Sequence, residues 1–139
     1  MQITNVLRHQ IIKSLTAPNT EKVADAAIIL WEKLAAQIIS VVGEDGFNTL
    51  YERSVFLNQP IFPWLPGLPS CKTDQRFAGL KMSLEAQTPE QASAANSLLL
   101  ITFTDILALL IGERLTSHIL SLAWGADIWS GTTKEFKNE

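Results

Sequence analysis

The sequence predicts an all-α, single-domain bundle of about five helices, and three observations carry that expectation. Apolar residues recur at helical spacing in several long stretches, with capping residues in front of them and glycines behind. No alternating, β-branched run bounded by turns occurs. The chain of 139 residues has the size of one domain with a real core, and residues 1–130 are expected to form it ahead of a flexible polar tail, 131–139.

The first helix is expected over about Gln2–Leu15, where Ile3, Val6, Leu7, Ile11 and Leu15 share a face and Pro18 stops the run. The second begins at a cap, Asn19 or Thr20, and ends near Gly43. Its apolar arc is Val23, Ala27, Leu30, Trp31, Leu34, Ile38, Val41 and Val42; its polar arc runs from Glu21 to Ser40. Gly43 and Gly46 are expected to shape a turn, with Asp45 capping a third helix that places Phe47, Leu50, Tyr51, Ser54 and Leu57 on one side. In "QPIFPWLPGLPSCK", Pro60, Pro63, Pro66 and Pro69 recur every third residue, the period of polyproline II. Phe62 and Trp64 in that segment are too apolar for an exposed proline-rich ligand, so a stiff crossover packed over one end of the bundle is expected. A short fourth helix follows, capped by Thr73 or Asp74.

The last helix is expected to run unbroken from Pro89 to Trp124 as the central strut. Thr88 caps it, Pro89 suits its first position, Gln91 completes a capping box, and Gly125 ends it. Its segment Ser97–Gly112 is polar only at Ser97, Thr102, Thr104 and Asp105. A bilayer span needs about 20 predominantly apolar residues, and a central aspartate costs about 3 kcal/mol there, so a buried helix is preferred over a membrane span. Apolar residues cover both faces in the first half of this helix and only one in the second. Something must cover the outer face, and a homodimer seam through Leu100, Phe103, Leu107 and Leu110 is expected. Asp105 is expected to face the core, satisfied by Thr102, Arg53 or Arg76.

Composition narrows function by exclusion. Hydrophobic residues make up 47% and charged residues 18%, with net charge −3, so there is no basic surface for nucleic acid. Cys71 is alone, which leaves no disulfide or zinc knuckle, and the opening "MQITNVLRHQ" lacks a secretory pattern; a cytoplasmic protein is expected. The two histidines, His9 and His118, form no metal motif, and no phosphate loop or nucleophile elbow is present, so neither cofactor nor catalysis is expected. Three readings remain. One is a non-catalytic interaction or regulatory module that self-associates or binds a protein partner. Another is a binder of small apolar ligands, in a pocket lined by Trp31, Leu34 and Ile101 with Asp105 or Arg53 as polar anchor. The weakest is histidine phosphotransfer through His9 in "RHQIIKSL", where the spacing fits poorly.

Two internal stretches resemble each other. "LAAQIISVVGEDGFNTLYERS" and "TDILALLIGERLTSHILSL" each read as apolar helix, Gly-Glu, then a second apolar pattern. Aligning Gly43 with Gly112 pairs Leu34 with Phe103 and Ile38 with Leu107, the register of a helical-hairpin duplication.

Gly46, Phe47, Leu50, Tyr51, Arg53 and Ser54, followed by the stretch Ile111 to Thr116, resemble motifs shared by a group of small all-helical bacterial proteins. The resemblance covers about two thirds of the chain. It implies a bacterial source, a shared helical fold and no catalysis, and it singles out Arg53, Glu113 and Thr116 as polar positions.

Overall fold

A computed structural model describes residues 5–16, 23–65 and 77–125. The fold is all-α, with five helices among the described residues: α1 (Asn5–Leu15), α2 (Val23–Asn58), α3 (Ala78–Glu85), α4 (Pro89–Ile111) and α5 (Glu113–Trp124). Helix α2 is bent sharply at Gly43 into arms 23–42 and 44–58. The expected caps Asn19, Thr20, Thr73 and Asp74, the expected partner Arg76, and the tail lie outside the described residues.

Two expectations about helix ends are corrected. The strut from Pro89 to Trp124 is not continuous: Gly112, at φ 95° and ψ 153°, separates α4 from α5. The second and third expected helices meet at Gly43 alone, at φ 84° and ψ 167°, so Asp45 lies inside the resumed helix and caps nothing. Both glycines occupy a backbone region that residues with a Cβ scarcely enter. Gly46 is needed for a different reason: a Cβ there would stand 2.9 Å from Val42 Cβ. At the start of α4, Thr88 Oγ1 accepts from the Gln91 N–H at 3.1 Å, one half of the expected capping box.

The first part of the proline segment is also corrected; Pro66, Pro69 and Cys71 lie outside the described residues. Residues 59–65 form successive turns rather than an extended strand, because the Asn58 carbonyl takes the N–H groups of Ile61 and Phe62 at 3.1 and 2.9 Å. Phe62 and Leu65 are buried, and Trp64 stacks edgewise on Phe62, as a packed crossover requires.

The core is built around Trp31, which is fully buried and ringed by aromatics. Tyr51 and Phe103 meet it edge-on at 5.3 and 5.4 Å, and Phe77 lies 5.8 Å away. Phe47 completes the nest at 5.3 Å from Phe103. The indole N–H is satisfied by Asn96 Oδ1 at 2.8 Å. A second tryptophan, Trp124, ties the end of α5 to α2 through the Leu30 carbonyl at 2.9 Å.

The internal resemblance extends to burial. Val23, Ala24, Ala27, Trp31, Leu34, Ala35 and Ile38 are buried in the first arm of α2. Shifted by the 69 residues that separate the two glycines, they fall on Ala92, Ser93, Asn96, Leu100, Phe103, Thr104 and Leu107, all buried in α4. Beyond the glycines, Phe47, Leu50, Tyr51, Ser54 and Val55 fall on Thr116, Ile119, Leu120, Ala123 and Trp124, all buried in α5. The two halves therefore share element order, glycine break and buried face. They also interlock: α1 of the first half packs on α4, and α3 of the second packs on α2.

Candidate functional site

Each glycine break creates an elbow, and each elbow receives one large side chain from the other half. Phe77, at the start of α3, enters the first elbow among Trp31, Phe47 and Tyr51. The residue in the same register of α1 is Arg8, and it enters the second elbow, between Thr104 and Asp105 on α4 and Glu113 on α5.

Arg8 is 1% exposed. Its Nε and Nη2 donate to the two Glu113 carboxylate oxygens at 2.7 and 3.0 Å, a bidentate pair. Its Nη1 donates to Asp105 Oδ1 at 2.7 Å and to Thr104 Oγ1 at 2.8 Å. Burial alone would lower the Arg8 pKa, but hydrogen bonds and charges from Glu113 and Asp105 more than reverse this, and the guanidinium stays charged. The break at Gly112 makes the cluster possible, since it starts a new helix at Glu113, whose carboxylate then lies at a favourable helix N-terminus. His9 adds a second contact from α1: its Nε2 lies 2.7 Å from the same Asp105 oxygen. The two carboxylates remain 40% and 30% exposed, so the cluster is roofed by protein on the Arg8 side and open to water on the other.

Several expectations are corrected here. Asp105 sits at the edge of the core and not inside it, and its partners are Arg8 and His9. Thr102 serves Asn58 instead, accepting from its side chain at 3.0 Å, and Arg53 is exposed on the far arm of α2. Leu100, Phe103 and Leu107 are fully buried within the one chain, because α2 folds back over that face of α4; they offer nothing to a second chain. Leu110 is 67% exposed and Leu109 beside it 86%, so apolar surface persists only at the end of the helix. Trp31 and Leu34 are fully buried in the core; Ile101 faces an open groove of about 500 Å³ with Lys13, Phe62, Ser93 and Leu98. Thr116 is buried and returns its hydroxyl to the Gly112 carbonyl at 2.8 Å, a local role.

Sequence reasoning missed Arg8, although a signal was there. Arg8, Ile11, Ile12 and Leu15 share one helical face, so the arginine lies on the buried side of α1. Among the described residues, no group of three or more His, Cys, Asp or Glu is placed to hold a metal ion. His9, the phosphotransfer candidate, is 29% exposed and held against Asp105 through Nε2. The chain matches no family model, no curated protein and no solved structure.

Proposed function

We propose that this protein is a non-catalytic helical interaction module of the cytoplasm that self-associates through the apolar surface at its second elbow. The observation that carries the reading is the exposure of Leu109 and Leu110, 86% and 67%, on a chain whose charged residues amount to 18%. Burying a leucine contributes about 1.5–3 kcal/mol, so two adjacent leucines left in water are a strong incentive to associate. The half-exposed carboxylates of Asp105 and Glu113 beside them supply polar specificity. Both α2 and α4 are long and apolar enough to cross a bilayer. The reading of both as core helices rests on the pairing of buried Arg8 with Asp105 on α4 and on the aromatic nest shared between α2 and α4.

The test is solution mass by light scattering across a concentration series, without detergent, for the wild type and Leu110→Glu. A wild-type dimer that the variant converts to a folded monomer is expected. A wild type that stays monomeric at every concentration, or that requires detergent, refutes the reading.

A second reading has its own observation. The open groove beside Ile101 has apolar walls in Phe62, Leu98 and Ile101 and polar rims in Lys13 and Glu90, dimensions and lining that suit a small amphipathic ligand. Saturable quenching of Trp64 fluorescence by such ligands, abolished by Ile101→Asp, would favour it.

A further inference from the structure

Helix α1 is tied to α4 at both of its ends. Arg8 reaches Thr104 and Asp105, and the Thr16 carbonyl accepts from the buried Ser93 hydroxyl. The two helices therefore run antiparallel, and the open groove between α1 and the crossover is held in shape before anything enters it. Its floor is one face of α4, with Ala94, Ser97, Leu98 and Ile101. Lys13 lies between the two ties and comes level with Ser97. This part of the groove is polar, and the next turn of α4, about 6 Å on, is apolar, lined by Leu98, Ile101 and Phe62. Two donors at the polar part are unused among the described residues: Lys13 is exposed and makes no ion pair, and the half-buried Ser97 hydroxyl makes no hydrogen bond.

The duplication shows that this free cation is not imposed by the fold. The first half carries Met82 where α1 carries Lys13, and Asp25 and Glu32 where α4 carries Ala94 and Ile101. There the lysine beside that methionine, Lys81, is answered by Asp25 at 3.1 Å. On the equivalent face of the second half both acids are replaced, and Lys13 is left unanswered. Glu90 also borders the groove, but it stands in the first turn of α4, where a carboxylate suits the helix terminus, and Glu21 holds the same register in the first half. It is seven residues from Ser97, about 10 Å along α4, which exceeds the screening length at physiological salt. We propose that the groove binds a straight-chain aliphatic carboxylate. Its head is held by the Lys13 ammonium and the Ser97 hydroxyl, and its chain lies along Leu98 and Ile101 against Phe62. The proposal rests on the ligand-binding reading and names the ligand's chemistry. A peptide ending in a carboxylate would need partners for its amides, and from Ser97 to Ile101 the lining side chains are apolar.

Titration calorimetry of the full chain with octanoate, octanol and octylammonium separates head from chain. Octanoate is expected to bind at a single site, about tenfold more tightly than octanol, with octylammonium weakest. From butanoate to decanoate the affinity rises about fourfold per methylene, then levels off once the chain outgrows the groove. Lys13→Met installs the side chain that the first half carries at that register. It weakens octanoate about tenfold and leaves octanol unchanged, whereas Ile101→Asp abolishes the binding of both. Equal binding of octanoate and octanol, or octanoate binding that Lys13→Met leaves intact, overturns this proposal and leaves the ligand-binding reading standing. A short acetylated peptide ending in leucine that binds more tightly than octanoate overturns the choice of a free acid. No saturable binding of any probe overturns both the proposal and the reading beneath it, as does binding that persists in Ile101→Asp. If Ile101→Asp loses helicity, Ser97→Trp decides, since it fills the groove from the open side: undiminished octanoate binding refutes the site.

Discussion

Replacing Arg8 by methionine tests whether the second elbow is held by charge in the way the first is held by packing. Arg8 is 1% exposed and makes a bidentate pair with Glu113 plus single bonds to Asp105 and Thr104. Breaking a fully buried ion pair costs about 3–5 kcal/mol, mostly because the abandoned partner stays dry. Here the abandoned carboxylates are 40% and 30% exposed and regain water, which lowers the expected cost of Arg8→Met to about 2–3 kcal/mol. Asp105→Ala alone leaves Arg8 its bidentate partner, and about 1–2 kcal/mol is expected from the lost charged hydrogen bonds. The double variant reproduces the first elbow, where an apolar side chain, Phe77, stands in the place of Arg8, Ala36 in the place of Asp105 and Glu44 in the place of Glu113. Its cost is expected to be about that of Arg8→Met alone, a coupling of at least about 1 kcal/mol. Urea unfolding followed by far-ultraviolet circular dichroism measures all four corners of the cycle. Additive costs, or an Arg8→Met cost below about 0.5 kcal/mol, would show that the cluster contributes no more than a surface pair.

Other outcomes follow from the same geometry. Burial raises the Tyr51 phenol above its ordinary value, so the folded state keeps a proton that the unfolded chain releases. Stability from this group is therefore complete below about pH 10 and falls above it by up to about 1.4 kcal/mol per pH unit. Tyr51→Phe removes that slope, and because Tyr51 is the only tyrosine, phenolate absorbance must appear together with unfolding and not before it. Gly43→Ala and Gly112→Ala should each cost about 1–3 kcal/mol in denaturant titrations, from backbone strain alone, since a Cβ at either site meets nothing within 4 Å. Trp31→Phe should cost more than 2 kcal/mol, roughly the sum of a lost buried hydrogen bond to Asn96 and a cavity; a cost under 1 kcal/mol would mean that the nest repacks freely.

Most helices were legible because their apolar periodicity and caps were local. The Thr88–Pro89 start and the Gly125 end needed only a few adjacent residues to specify them. The break at Gly112 was hidden because the apolar arc stays in phase through it, and one glycine costs a continuous helix only about 1 kcal/mol. The covered face of Leu100, Phe103 and Leu107 was legible as a face that must be covered, and the choice between one chain and two depended on how α2 folds back, which no local pattern encodes. Arg8 was passed over because of its type: an arginine is ordinarily a surface residue, and its burial depends on carboxylates about a hundred residues away. The duplication showed in the sequence only as Gly-Glu after an apolar helix, because burial register is kept while residue identity is not.

The interlocking of the two halves also orders events during synthesis. The Arg8 pair with Glu113 closes a separation of 105 residues, and the Phe77 contact with Trp31 closes less than half of that. As the chain leaves the ribosome, α1 emerges before the other four described helices, yet its seat is not complete until α5 has followed, so the first of these five to be made is the last to dock. The first elbow, by contrast, can receive Phe77 while the second is still being translated. Pulse-labelled hydrogen exchange during refolding should therefore protect the amides of the first arm of α2 before those of α1. Until that late step, the carboxylates at the second elbow stand exposed as a waiting acidic notch, open to any cationic helix that a crowded cell presents before the chain's own arrives.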